Sequence, residues 1–198
     1  MKAAGVRVVN MSWGGSREDI ENELQRKGAG KDAADRAALA REIFTIQRDA
    51  LENAMKSAPE ILFVAAAGNS DNNNTFSEMI PSGLNVPNMI TVGAVDQSGK
   101  PTGFTTFGGN VRFYANGFEV DSYVPGGKRM KFSGTSMAAP NVTNLAAKLF
   151  ALRPALTPAQ AVELIEKGAD PMAEGSKSGE GTRLLINPKK SIQLLERN

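Results

Sequence analysis

Around residue 136 the chain reads FSGTSMAAPNV (132–142), with a serine set between a glycine and the first turn of an apolar run. Gly134 permits a tight backbone approach at that point. A helix starting at Ser136 would aim free N–H groups and the positive end of its dipole at charge developing beside the hydroxyl. That is how a nucleophile is presented, although a serine at a helix start is also a common N-cap. A second segment, Ala65-Ala66-Ala67-Gly68-Asn69, ends an apolar run in small residues and then offers a side-chain amide. Small side chains leave room for a ligand beside the backbone, and an amide N–H can bond an oxyanion. The same residues also read as a tight turn with Asn69 as a local cap. A third segment, Ser12-Trp13-Gly14-Gly15, could pair its backbone with an extended peptide, or be a plain glycine turn. The usual general base is missing, because the 198 residues contain no histidine.

Elements must carry these residues to one place. VRVVNMS (6–12), ILFVAAA (61–67) and MITVGAV (89–95) are short apolar runs that read as buried strands, with VRFYAN (111–116) a weaker fourth. Apolar on both faces and separated by crossovers, they predict a parallel sheet covered by helices. The fold class expected is therefore α/β, a partial doubly wound parallel sheet of about four strands. Residues 17–58 are charged and alanine-rich, and Gly28 and Gly30 divide a short first helix from a longer second one. In the second, Leu39, Ile43, Ile46, Ala50 and Ala54 step by three or four and predict its buried face. A further helix is expected from about Ser136 to Ala151. Another starts at Thr157-Pro158-Ala159-Gln160, where threonine caps, proline fills the first turn and glutamine completes a capping box; Gly168 stops it. MAEGSKSGEGT (172–182) reads as a polar loop before a last helix near 188–195. All three chemistry-bearing segments then fall at strand carboxyl ends or just after the sheet, where open α/β folds bind ligands.

Composition narrows the function classes. Hydrophobic residues make up 41% and charged residues 22%, an ordinary globular balance. A net charge of +2, with Lys and Arg spread along the chain, predicts no nucleic-acid partner and no anionic membrane surface. No apolar run approaches the roughly 20 residues of a membrane span, and the first residues show no signal peptide. With no cysteine, disulfides and thiolate metal sites are excluded.

Taken together, VVNMSWGG, FVAAAGNS, IPSGLNVPNMITVGAVDQSG, VPGGKRMKFSGTSMAAPNV and GTRLLINPKKSIQLL resemble the subtilisin-like serine proteases, the subtilases. The segments follow that family's order over most of residues 6–195, except for 17–58, which is longer than usual. Residues 1–198 are thus expected to be the C-terminal part of a subtilisin-like peptidase domain, with 17–58 an enlarged helical segment. The resemblance implies that Ser136 is the nucleophile and that Asn69 donates to the oxyanion. It assigns substrate binding to Ser12, Trp13, Gly14, Ala66, Ala67, Gly68 and Thr135, and puts Ser70 and Gly117 near the pocket rim. Peptide or protein substrates and a secreted or periplasmic location are implied in the same way.

Departures from the family pattern matter as much. The family's Asp and His segments precede the SxGG strand, so its aspartate and general-base histidine are expected upstream of this sequence, and the isolated chain is expected to be inactive. That missing N-terminal part is one expected partner; a second copy pairing along an open sheet edge at VRVVNMS is another. Asn141 stands where a histidine is common after the motif proline, a residue that is not the base. Many family members bind structural calcium, and Asp71, Asn72, Asn73 and Asn74 offer oxygen ligands. They also read as a polar surface loop, so no metal and no cofactor is assigned. A non-catalytic peptide-binding module, holding peptides between SWGG and AAAGN, is the alternative function.

Overall fold

The computed structural model describes residues 1–73, 78–172 and 183–197. In chain order the elements are β1 (Val8–Met11), β2 (Gly15–Ser16), α1 (Arg17–Arg26), α2 (Ala33–Lys56), β3 (Leu62–Ala66), β4 (Met79–Ile80), β5 (Met89–Val95), β6 (Phe113–Asn116), β7 (Val120–Tyr123), β8 (Arg129–Phe132), α3 (Thr135–Leu152), α4 (Pro158–Gly168), β9 (Asp170–Pro171), β10 (Leu184–Leu185) and α5 (Pro188–Arg197).

One sheet organises them, in the order β1-β3-β5-β6-β10-β9. The four expected strands form its parallel part, Val8 opposite Leu62, Val64 opposite Ile90 and Val92 opposite Phe113. The sequence reading missed two more: β10, parallel to β6, and β9, antiparallel to β10. Two residues each are too few to show a period in the sequence. β1 is an edge, with no strand on its outer side among the described residues.

Period-2 alternation sorts the central strands between two cores. Leu62, Val64, Ala66, Val92, Ala94, Phe113 and Ala115 meet Ala138, Val142, Leu145 and Leu149 of α3 and Ile165 of α4 on one face. Phe63 and Ala65 point the other way, onto Phe44 and Met55 of α2. Helices on both faces make the sheet doubly wound. The capping box at Thr157 and Gln160 forms as expected, and Gly28 and Gly30 lie at positive φ between α1 and α2.

The buried stripe of α2 needs correcting. Ala40, Phe44 and Met55 are its buried residues, while Ala50 and Ala54 are exposed and Ile46 is 61% exposed. In an alanine-rich helix the pattern has low contrast, and the largest side chain, Phe44, sets the phase.

The return from α2 to β3 depends on a residue that no pattern singled out. Buried Asn88 donates its amide to the carbonyls of Met55 (3.1 Å), Ala58 (2.9 Å) and Ile61 (3.0 Å), pinning the turn after α2 to the start of β5. Asn88→Leu is expected to destabilise the fold by about 3 kcal/mol, because it removes three buried hydrogen bonds and sets an apolar side chain against their carbonyls. Urea unfolding with unchanged slope and a lower midpoint would bear this out; a shift within about 0.5 kcal/mol, the usual range for surface changes, would contradict it.

Candidate active site

Small residues at the carboxyl ends of the central strands, Ala66, Ala94 and Ala115, leave space for the start of α3. The chain enters that helix through a turn held from below: Gly134 N–H donates to the Gly117 carbonyl at 2.8 Å. Gly117 must be glycine, since a Cβ there would lie 2.6 Å from the Gly134 oxygen and 2.8 Å from Ala94 Cβ.

Thr135, the first residue of α3, is buried and ties the serine segment to the asparagine segment. Its N–H donates to Asn69 Oδ1 at 2.9 Å and its hydroxyl donates to the same oxygen at 3.0 Å. That hydroxyl in turn accepts Gly68 N–H at 3.1 Å. A backbone N–H can only donate, so the amide oxygen must face Thr135, and Nδ2 becomes the outward end of Asn69. Gly68 sits at φ 111, the conformation that turns the chain from β3 toward Asn69.

Ser136 follows in the first helical turn, where backbone N–H groups have no intrahelical partner. Its hydroxyl donates weakly to the Ser12 carbonyl, at 3.3 Å. Pro140 has no N–H to return to the Ser136 carbonyl one turn back, and Ser12 Oγ donates to that carbonyl instead, at 2.7 Å. The proline thus opens an acceptor that clamps β1's end to the helix start. One turn on, Asn141 Nδ2 donates to Asn116 O (3.0 Å) and Met137 O (3.1 Å), tying α3 to β6.

A cleft of about 170 Å³ opens beside these residues, lined by Trp13, Gly14 and Gly15 on one side and Ala66, Gly68 and Asn69 on the other, with Thr135 and Ser136 between them. Met79, Ser82 and Asp19 complete the lining. Of the residues singled out in the sequence, Trp13, Gly14, Ala66, Gly68, Asn69, Thr135 and Ser136 come together here, and Ser12 reaches Ser136 by hydrogen bonds. The remaining three lie elsewhere. Ala67 is fully buried in a core with Val95 and Tyr114. Ser70 is exposed, its N–H on Thr106 Oγ1 at 3.2 Å, and Gly117 is buried under the Gly134 turn. None of the three lines the cleft. Sequence reasoning missed Asp19, Met79, Ser82 and Thr106; the last threads the 68–72 loop through Gly68 O, Ser70 N and Asn72 Oδ1. Nothing in the sequence separates that threonine from its neighbour Thr105.

Asn74 lies outside the described residues, and Asn72 Oδ1 already accepts the Thr106 hydroxyl. Asp71 is the one carboxylate among residues 71–74.

Residues 1–185 match the model of the subtilase family, Peptidase_S8. The subtilisin-like serine protease Pen ch 13 of Penicillium rubens is 29% identical over 195 residues, 94% of this chain and 47% of that protein. Subtilisin E of Bacillus subtilis (strain 168) is 32% identical over 133 residues, 67% of this chain and 34% of that protein. The crystal structure of a cold adapted subtilisin-like serine proteinase superposes with a TM-score of 0.63 at 26% identity, covering 90% of this chain and 53% of the other. The chain thus spans about half the length, or less, of the curated relatives it matches.

The support beneath the serine turn can be tested by volume. Gly117→Ala is expected to cost about 2 kcal/mol of stability by overpacking. Gly103→Ala, where a Cβ would meet nothing within 4 Å, serves as the control. Equal denaturation midpoints for the two variants would contradict this reading of the turn.

Proposed function

Because this chain belongs to the subtilase family, whose members are serine proteases, we propose that it carries the nucleophile and an oxyanion donor of a subtilisin-like serine endopeptidase. Ser136 Oγ attacks the carbonyl carbon of a peptide, and the oxygen that becomes negative is met by Asn69 Nδ2–H and the Ser136 N–H. The observation that carries this reading is the fork from Thr135 to Asn69 Oδ1, which turns the amide's donor end outward beside Ser136. The peptide's extended backbone lies between Trp13 and Gly14 on one side and Ala66 and Gly68 on the other.

An alcohol needs a base, and the Ser12 carbonyl, the one partner of the Ser136 hydroxyl among the described residues, is too weak a one. With no histidine among the 198 residues, an imidazole base must come from outside them, and the resemblance to the family puts the aspartate that orients it there as well. The free side of β1 is the natural place for a segment carrying them, or a second copy, to pair. A secreted or periplasmic site of action goes with this reading, and no described helix is long and apolar enough to cross a membrane. The lack of histidine also favours a second reading, a peptide-binding module that uses the same cleft without cleaving.

Two measurements separate the readings. In the enzyme assembled with its histidine-bearing segment, Ser136→Ala is expected to abolish peptide hydrolysis. Asn69→Leu is expected to slow turnover by roughly 10²–10³ with little change in KM, a magnitude carried over from subtilisin's own oxyanion asparagine. The 198-residue chain alone is expected to bind peptides but release no product. Hydrolysis that survives Ser136→Ala would overturn the protease reading.

A further inference from the structure

Among the residues lining the cleft, Asp19 alone carries an ionisable side chain. It sits there because Ser16 caps α1: as the third helical residue, Asp19 turns its carboxylate back to the cap, where Oδ2 accepts the Ser16 N–H at 2.8 Å and its hydroxyl at 2.7 Å. Both bonds fall on one oxygen. The carboxylate is therefore held in place, while Oδ1 has no partner among the described residues. The nearest basic side chain in sequence, Arg17, does not neutralise it, because that guanidinium is already paired with Glu78 and with Glu21.

The rest of the wall suits a long stem rather than a bulky one. Trp13, half exposed, offers an aromatic face. Met79 lies across the floor, its methyl 3.4 Å from where a Cβ on Gly68 would stand. A flexible aliphatic stem can lie along these two side chains and carry a cation past the indole to the carboxylate. A carboxylate-bearing stem would meet like charge, with no cation among the described lining residues to offset it.

We propose that Asp19 makes the cleft selective for a basic side chain, Lys or Arg, on the substrate residue whose carbonyl Ser136 attacks. This rests on the roles of Ser136 and Asn69 proposed above. With Oδ2 already occupied, Asp19 cannot meet both arms of a guanidinium fork, so lysine and arginine are served about equally.

The test uses the assembled enzyme and peptides that differ only at that residue. The expected order of kcat/KM is Lys and Arg together, then Leu at least about tenfold lower, then Glu. Asp19→Asn should cut the Lys-to-Leu ratio by about tenfold, whereas Asp19→Glu should retain most of it. Both replacements can still accept the cap's hydrogen bonds, so a purely structural role would move the two alike. A Lys-to-Leu ratio near one in the parent enzyme, or one unchanged by Asp19→Asn, would overturn the selectivity while leaving Ser136-dependent cleavage intact. If no peptide is cleaved in a Ser136-dependent way, the protease reading falls and this inference falls with it.

Discussion

Asn69 Oδ1 accepts two donors from a single residue, the N–H and the hydroxyl of Thr135, and the site depends on that fork. It couples the loop after β3 to the first turn of α3, two segments 66 residues apart. It fixes which end of the amide faces the cleft, since an amide nitrogen could not face the same N–H. Because Thr135 is buried and its hydroxyl also accepts Gly68 N–H, rotating Asn69 would leave inner polar groups unpaired. The amide N–H is thereby oriented before any ligand arrives, as the proposed stabilisation of an oxyanion requires.

The rest of the fold brings the two sides of this fork together. A parallel sheet sends all its carboxyl ends to one edge, and α3 returns across β1, β3, β5 and β6 with its N-terminus at that edge. Pro140 contributes in an unexpected way: by lacking an N–H it leaves the Ser136 carbonyl to Ser12, so the same helix start is also clamped to β1. Gly117 closes the arrangement from beneath, where any side chain would collide with the turn.

Much of this was legible in the residues alone. Apolar runs located four strands, the Thr157 box located α4, and the GTSMAAP and AAAGN segments pointed to one cleft before any coordinates. Long-range polar contacts were not legible. Asn88 on three carbonyls, Thr106 across the 68–72 loop and Asp19 in the cleft each depend on partners far away in sequence or on wall geometry that no local period encodes. The misplaced stripe of α2 has a different cause, a helix whose alanines look alike on every side.

Covalent labelling tests the proposed role of Ser136 most directly. A fluorophosphonate reacts with a serine only when a base takes its proton and an oxyanion site receives the phosphoryl oxygen. In the enzyme assembled with its histidine-bearing segment, peptide mapping should find the adduct on Ser136, and the 198-residue chain alone should remain unlabelled. An adduct on a different serine, or equal labelling of the chain without any histidine, would contradict the assignment of Ser136 and of an external base.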